Sequence, residues 1–95
     1  MSHDALQVEL KNLSGLLAHV NEDRWSSWAR KAAERLANGT AAPEDVRHAF
    51  GGMGSLNDLV IDPINGHAIA PDDVAAVNNE LDALRSRIWR LTRER

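Results

Sequence analysis

The sequence predicts an all-α fold, a small helical bundle of three principal helices with one or two short helices between them. Near both ends of the chain, apolar residues recur at alternating intervals of three and four positions, which is the spacing of one helix face. Prolines and acidic residues stand where the expected helices begin, and a glycine follows the expected second helix. Residues 60–69 depart from this pattern, and there we expect a structured loop or a miniature hairpin.

The composition is typical of a single helical domain covering residues 1–95. Hydrophobic residues make up 43% of the chain and charged residues 26%, with a net charge of −3. The absence of cysteine excludes disulfides, thiolate zinc sites and a cysteine nucleophile. No apolar run approaches the roughly 20 residues of a membrane span, and the amino terminus lacks the layout of a signal peptide. We therefore expect a cytoplasmic protein that does not enter a membrane.

The first two helices are predicted from their apolar stripes and from the residues that bound them. One stripe predicts a helix from about Asp4 to His19. Asn21 is predicted to cap the next helix, which ends at Asn38-Gly39 because glycine accepts the left-handed conformation. Trp25 and Trp28 lie on the apolar face of this second helix, so we expect them in the core. The first stripe consists of Leu6, Leu10, Leu13, Leu17 and Val20.

The other two helices are predicted to begin at prolines. Pro43 fits the first turn of a short helix that continues to Phe50, and Pro71 fits the first turn of the last helix. An unbroken apolar seam runs along the last helix. Its members are Val74, Val77, Leu81, Leu84, Ile88 and Leu91. We predict that this seam packs against the first helix of the same chain, with a homodimer through the C-terminal helix as the alternative.

A glycine-rich stretch, residues 50–59, lies between the third and last helices. Gly51 is predicted to end the third helix in the left-handed conformation, with the next glycine continuing the turn and Met53 filling the gap beneath it. Ser55 and Asp58 have the spacing of a variant capping box that opens another short helix. Phosphate binding is disfavoured here, because no strand precedes the glycines, no lysine follows them and a carboxylate lies where the anion would bind. The stretch is thus predicted to be a sharp corner between helices.

Polar residues beside this corner form one candidate binding site. Asn57 is expected to face outward, and Asp58 either caps the corner or takes part in recognition. Asn65 and His67 belong to the following turn, where a solvated histidine is favoured over a ligand or a base.

Trp89 lies one residue beyond the apolar seam, between Arg87 and Arg90. It is either a rim residue or an interface anchor, since tryptophan and arginine are enriched at binding hot spots. The arginines near the carboxyl end complement the helix dipole, and helical spacing spreads them around the helix. This distribution disfavours nucleic-acid binding through the arginines, and the net negative charge also argues against it.

Constellations typical of enzymes are scarce in this sequence. The four histidines are dispersed, and the serines lack a recognisable elbow or a neighbouring base. Glu44 and His48 share a helix face, but they would supply two metal ligands where a site needs at least three. We expect no enzyme activity, no bound metal and no cofactor.

The stretch from Phe50 to Leu59 reads F-G-G-M-G-S-L-N-D-L, and Asn65-Gly66-His67 follows it. The last helix then carries Asn78, Leu81 and Leu84-Arg85. These features resemble a small bacterial family of unknown function that has an F-G-G-M-G-S-[LF]-N-D-L motif followed by an Asn-Gly-His turn. The similarity spans the chain from about residue 25 to residue 89. It implies a freestanding bacterial domain in which the corner and the turn belong together, and it implies no activity.

Two classes of function follow as expectations. The first is a non-enzymatic interaction module, such as a regulator, an adaptor or an immunity-type protein, that binds another protein through Trp89, Arg87 and Arg90. The alternative is a small-molecule or nucleotide binder that uses the glycine-rich corner and the turn at residues 65–67.

Overall fold

The computed structural model describes residues 3–51 and 54–93, and these residues form an all-α bundle. Four α-helices follow one another as α1 (Asp4–His19), α2 (Asp23–Ala37), α3 (Pro43–Arg47) and α4 (Val74–Arg93). Short 3₁₀ turns lie between α3 and α4, at His48–Phe50, Leu56–Asp58, Pro63–Asn65 and Pro71–Asp73. The predicted fold class is confirmed, and the described residues contain a structured loop rather than a hairpin at 60–69.

Helices α1 and α2 form a helical hairpin around a leucine stripe. The four leucines of the α1 stripe, Leu6, Leu10, Leu13 and Leu17, are each at most 2% exposed, as the spacing predicts. A pair of serines also joins the two helices: the Ser14 hydroxyl donates to the Ser26 carbonyl at 2.9 Å, and the Ser26 hydroxyl donates to the Ser14 carbonyl at 2.8 Å. This reciprocal bonding satisfies both hydroxyls at a close helix approach.

The connection between α1 and α2 differs from the prediction by one residue. Asn21 has φ of +60° and belongs to the end of α1, where the Glu22 N–H donates to the Leu17 carbonyl at 2.8 Å. This is the left-handed ending that asparagine tolerates. Glu22, not Asn21, caps α2, because its carboxylate accepts from the Trp25 N–H at 3.2 Å. The Asn21 prediction was therefore wrong.

Helix α4 packs on α1 within the same chain. Leu81, Leu84 and Ile88 at the centre of its seam are at most 2% exposed. The central seam is thus enclosed by the chain's own helices, so a dimer through it would require the bundle to open. Trp25 and Trp28 are half-buried, pack against the core as predicted, and meet edge-on with ring centroids 5.5 Å apart. Within residues 3–51 and 54–93, none of the helices has both the length and the apolar character needed to cross a membrane.

Candidate functional site

The glycine corner, residues 50–58, is closed by its own side chains. The Asn57 amide donates to the Phe50 carbonyl at 2.9 Å, and the Asp58 carboxylate accepts from the Gly54 N–H at 2.7 Å. The predicted capping box does not form, because Ser55 makes no side-chain cap and the Asp58 carboxylate bonds the N–H of Gly54 rather than that of Ser55. Asn57 and Asp58 therefore hold the corner together.

The left-handed residue of the corner is not the one that the sequence suggested. Gly51 has φ of −107° and ψ of 150°, which is extended backbone, so the prediction for Gly51 was wrong. Gly54 has φ of +72° and makes the reversal instead. The chain is extended at Gly51, after the 3₁₀ turn that ends at Phe50, and Gly54 is left-handed just before the next 3₁₀ segment. The predictions for Gly52 and Met53 lie outside the described residues.

Arg85 of α4 clamps the far side of the corner. One guanidinium nitrogen, Nη1, donates to the carbonyls of Leu56 and Leu59, at 2.7 and 3.0 Å. The other, Nη2, contacts the Asp82 carboxylate. The Arg85 side chain is only 12% exposed, unlike an arginine that merely complements a helix dipole. Sequence reasoning missed this role, although Arg85 directly follows a seam residue and so lies beside the buried face.

The turn that follows, residues 60–68, is bonded along most of its length. Pro63–Asn65 forms a 3₁₀ turn that ends at Gly66, whose φ of +86° favours glycine. The Asp62 carboxylate accepts from the Ile64 N–H at 3.0 Å, and the Asn65 amide donates to the Val60 carbonyl at 3.1 Å. Asn65 is therefore a structural residue of the turn.

His67 is buried, contrary to the solvated histidine that the sequence favoured. Its side chain is 5% exposed. Its Nδ1 accepts from the Asp62 N–H at 3.1 Å, which requires Nδ1 to be unprotonated, so Nε2 carries the proton. Nε2 lies 3.1 Å from the Glu22 carboxylate and donates to it. The histidine thus ties the turn to the start of α2, a contact across 45 residues that no local pattern reveals.

Asn78 of α4 holds the other end of the same turn. Its Oδ1 accepts from the Ile61 N–H and its Nδ2 donates to the Ile61 carbonyl, both at 2.8 Å. Nδ2 also donates to the Val74 carbonyl at 2.9 Å. The side-chain amide thereby pairs with Ile61 as a neighbouring strand would. With His67, it fixes the turn to two different helices.

Trp89 lies in a cleft between α4 and the glycine corner. The cleft has a volume of about 370 Å³. Trp89 is 38% exposed, its ring centroid lies 5.5 Å from that of Phe50, and the Arg93 guanidinium lies 5.9 Å from the Trp89 ring. We call this the Trp89 cleft. Its described lining residues are Phe50, Asn57, Asp82, Arg85, Ser86 and Trp89.

Arg87 and Arg90, the remaining predicted site residues, have different surroundings. Arg87 pairs with the Glu9 carboxylate of α1. This hydrogen bond is the main reason that the pKa of Glu9 is lowered, although partial burial opposes the shift. Arg90 is exposed and has no ion-pair partner among residues 3–51 and 54–93. The structure therefore brings Asn57 and Trp89 to one cleft and commits Arg87 to a contact between helices.

Within the described part of the chain, no group of three or more histidine, aspartate and glutamate side chains is placed to hold a metal ion. The described carboxylates and imidazole nearest the corner and the turn instead bond to the chain itself. Asp58 and Asp62 each accept from a backbone N–H, and His67 is bonded at both ring nitrogens.

The sequence of this chain matches a known protein family. The family described as Domain of unknown function (DUF6966) matches residues 18–70, which is more than half of the chain. The chain belongs to this family. The matched region contains the whole glycine corner and the turn at residues 60–68, whereas Asn78 and Arg85, which hold them in place, lie beyond it. No curated protein and no solved structure matches the chain.

Proposed function

We propose that this protein acts without catalysis, by binding another protein through the Trp89 cleft. The observation that supports this most directly is the exposure of Trp89 beside Phe50, in a cleft flanked by arginine. A large aromatic side chain that is left 38% exposed next to a second ring offers apolar area at low entropic cost.

The hydrogen bonds that the other candidate residues already make also support a role without catalysis. A general base or a metal ligand needs a free lone pair. The lone pair on Nδ1 of His67 already accepts a backbone N–H, and one oxygen of the Asp58 carboxylate accepts the Gly54 N–H. The polar groups that first suggested a chemical site thus serve the scaffold that shapes the cleft.

Charge around the cleft indicates the chemistry of the partner. Arg93 lies over the Trp89 ring, and Arg90 is exposed on the same helix. A segment with an apolar side chain flanked by carboxylates would place the apolar group against Phe50 and Trp89. Its carboxylates would then meet the two arginines.

A second candidate is the binding of a small molecule in the same cleft. The volume of about 370 Å³ falls within the range of ligand pockets. Ser86 and Asn57 line the cleft, and their polar side chains would supply polar contacts to such a ligand. The cleft is a better small-molecule site than the turn at residues 65–67, because Asn65 and His67 are hydrogen-bonded within the chain.

The test is affinity capture from the source organism, followed by titration of the purified pair. Trp89→Ala is expected to weaken binding at least about 30-fold, as loss of a hot-spot residue does. Val8→Ala is the matched control, because Val8 is 55% exposed on α1 and lies outside the cleft. Circular dichroism checks that both variants fold. Equal binding by both variants would refute the role of the cleft, and a small molecule that copurifies only with Trp89 present would favour the second candidate.

A further inference from the structure

The turn at residues 60–68 presents an apolar side chain on a rigid support. Ile64 is 88% exposed at the tip, and Val60 on the same turn is 53% exposed. The Ile64 N–H is held by Asp62, and the Gly66 N–H donates to the Pro63 carbonyl at 3.0 Å. Because the backbone is already fixed, burying Ile64 in a partner would cost little further conformational entropy.

Charge divides the chain into an acidic and a basic part. Residues 48–84, which include this turn, contain six aspartates and glutamates and no lysine or arginine. Residues 85–95 contain five arginines and one glutamate. At the tip of the turn the apolar Ile64 lies two residues from the Asp62 carboxylate. In the cleft, which Asp82 also lines, the Trp89 ring lies beside the Arg93 guanidinium. An apolar side chain next to a carboxylate is complementary to an aromatic ring next to an arginine.

We propose that the occupant of the Trp89 cleft is the Ile64 turn of a second copy of this chain, bound head to tail. The inference rests on the proposed function, since it uses the same cleft and names its partner. In this arrangement Ile64 of one copy packs against Phe50 and Trp89 of the next, and Asp62 faces Arg93. A head-to-tail contact of this kind is heterologous, so each copy keeps one free surface.

The two surfaces cannot meet within one chain. Asn78 holds the base of the turn, and Trp89 lies eleven residues further along α4. At 1.5 Å per residue these positions are about 16 Å apart along the helix. His67 and Asn78 fix the turn at both of its ends, so it cannot swing into its own cleft. Pairing of two like surfaces is disfavoured, because it would bring equal charges together.

The test is sedimentation velocity over a dilution series at low salt, from about 10 µM to about 1 mM, a range suited to weak association. The wild-type chain is expected to associate, and Ile64→Asp and Trp89→Ala are each expected to remain monomeric. An equimolar mixture of these two variants is expected to form a heterodimer, because each retains the surface that the other lacks. An interface that pairs two like surfaces, turn with turn or cleft with cleft, would not be rescued in this way.

Two further variants test whether the position of the added charge and the arginine beside Trp89 matter. Val8→Asp adds the same charge at another exposed apolar residue and is expected to associate like the wild type. Arg93→Glu leaves Trp89 in place and is expected to weaken association at least tenfold. Far-UV circular dichroism verifies that each variant folds.

A wild-type chain that stays monomeric throughout the series would overturn the head-to-tail proposal. Failure of the mixture to dimerise, or association that Ile64→Asp leaves unchanged, would do the same. These outcomes leave the proposed function intact if a different captured protein still depends on Trp89. If that dependence is absent as well, both proposals fail.

Discussion

Replacing Arg85 by methionine tests whether this arginine holds the glycine corner in place. Methionine keeps the aliphatic stem and the helix propensity, so the change removes mainly the guanidinium. Nη1 of Arg85 then no longer donates to the Leu56 and Leu59 carbonyls. Because the Arg85 side chain is 12% exposed, water replaces these donors only partly.

The expected loss of stability follows from these two bonds. Hydrogen bonds to charged groups contribute about 1.5–3 kcal/mol each, and two that share one donor nitrogen are not additive. We therefore expect a loss of about 3 kcal/mol in the free energy of unfolding. For a domain of this size that corresponds to a fall in Tm of roughly 12–24 °C. The contact with Asp82 adds little, because the Asp82 side chain is 67% exposed.

Arg90→Met on the same helix is the matched control, because Arg90 is exposed and has no ion-pair partner among the described residues. It is expected to change stability by less than about 0.5 kcal/mol. Urea denaturation followed by tryptophan fluorescence measures both variants, and hydrogen exchange at residues 56–59 shows whether the corner loosens. Equal midpoints for the two variants would refute the clamp.

Further predictions concern stability, pH and protonation. Gly15→Ala is expected to raise the free energy of unfolding by about 0.5–1 kcal/mol, because Gly15 lies inside α1 with open space at the Cβ position. Gly66→Ala is expected to lower it by about 1–2 kcal/mol, because φ at Gly66 is +86°. Thermal denaturation compares them, and the same sign for both would contradict the argument. The lowered pKa of Glu9 gives a stability contribution that is present above its unfolded value of about 4.5 and is lost as the pH falls through the folded value. Arg87→Met should therefore flatten the loss of stability between about pH 5 and pH 3 in urea titrations. For His67, ¹⁵N NMR at neutral pH should show the Nε2–H tautomer, and a proton on Nδ1 would disprove its bond to the backbone.

The sequence alone determined the helices and the faces that they bury. The leucine spacing of α1, the seam of α4 and the proline at the start of α3 are local signals, and each depends on residues within a turn or two of one another. Gly39, which follows the end of α2 and has φ of +79°, is another such local signal. Trp89 was also identified as lying off the seam, because helical geometry alone fixes that position.

Local spacing failed where two conformations were equally compatible with it. Among clustered glycines, any one can adopt a positive φ, so the sequence alone does not distinguish Gly54, which is left-handed, from Gly51, which is extended. Asn21 is likewise compatible with both a helix N-cap and a left-handed helix ending. In the structure Asn21 belongs to the left-handed ending of α1, and Glu22 caps α2 instead.

Only the tertiary structure decided what the polar residues do. His67 meets Glu22 across 45 residues, Asn78 meets Ile61 across 17, and Arg85 meets Leu56 across 29. Such partners are chosen by how the helices pack, because a buried polar group must bond to whatever the fold brings within reach. That requirement applies to the buried His67, and bonds to the backbone likewise make the exposed Asn57, Asp58 and Asn65 parts of the scaffold. The fold thus ties down all four side chains. It leaves Trp89 and Ile64, side chains that the fold leaves uncovered, as the residues through which we propose that the chain binds.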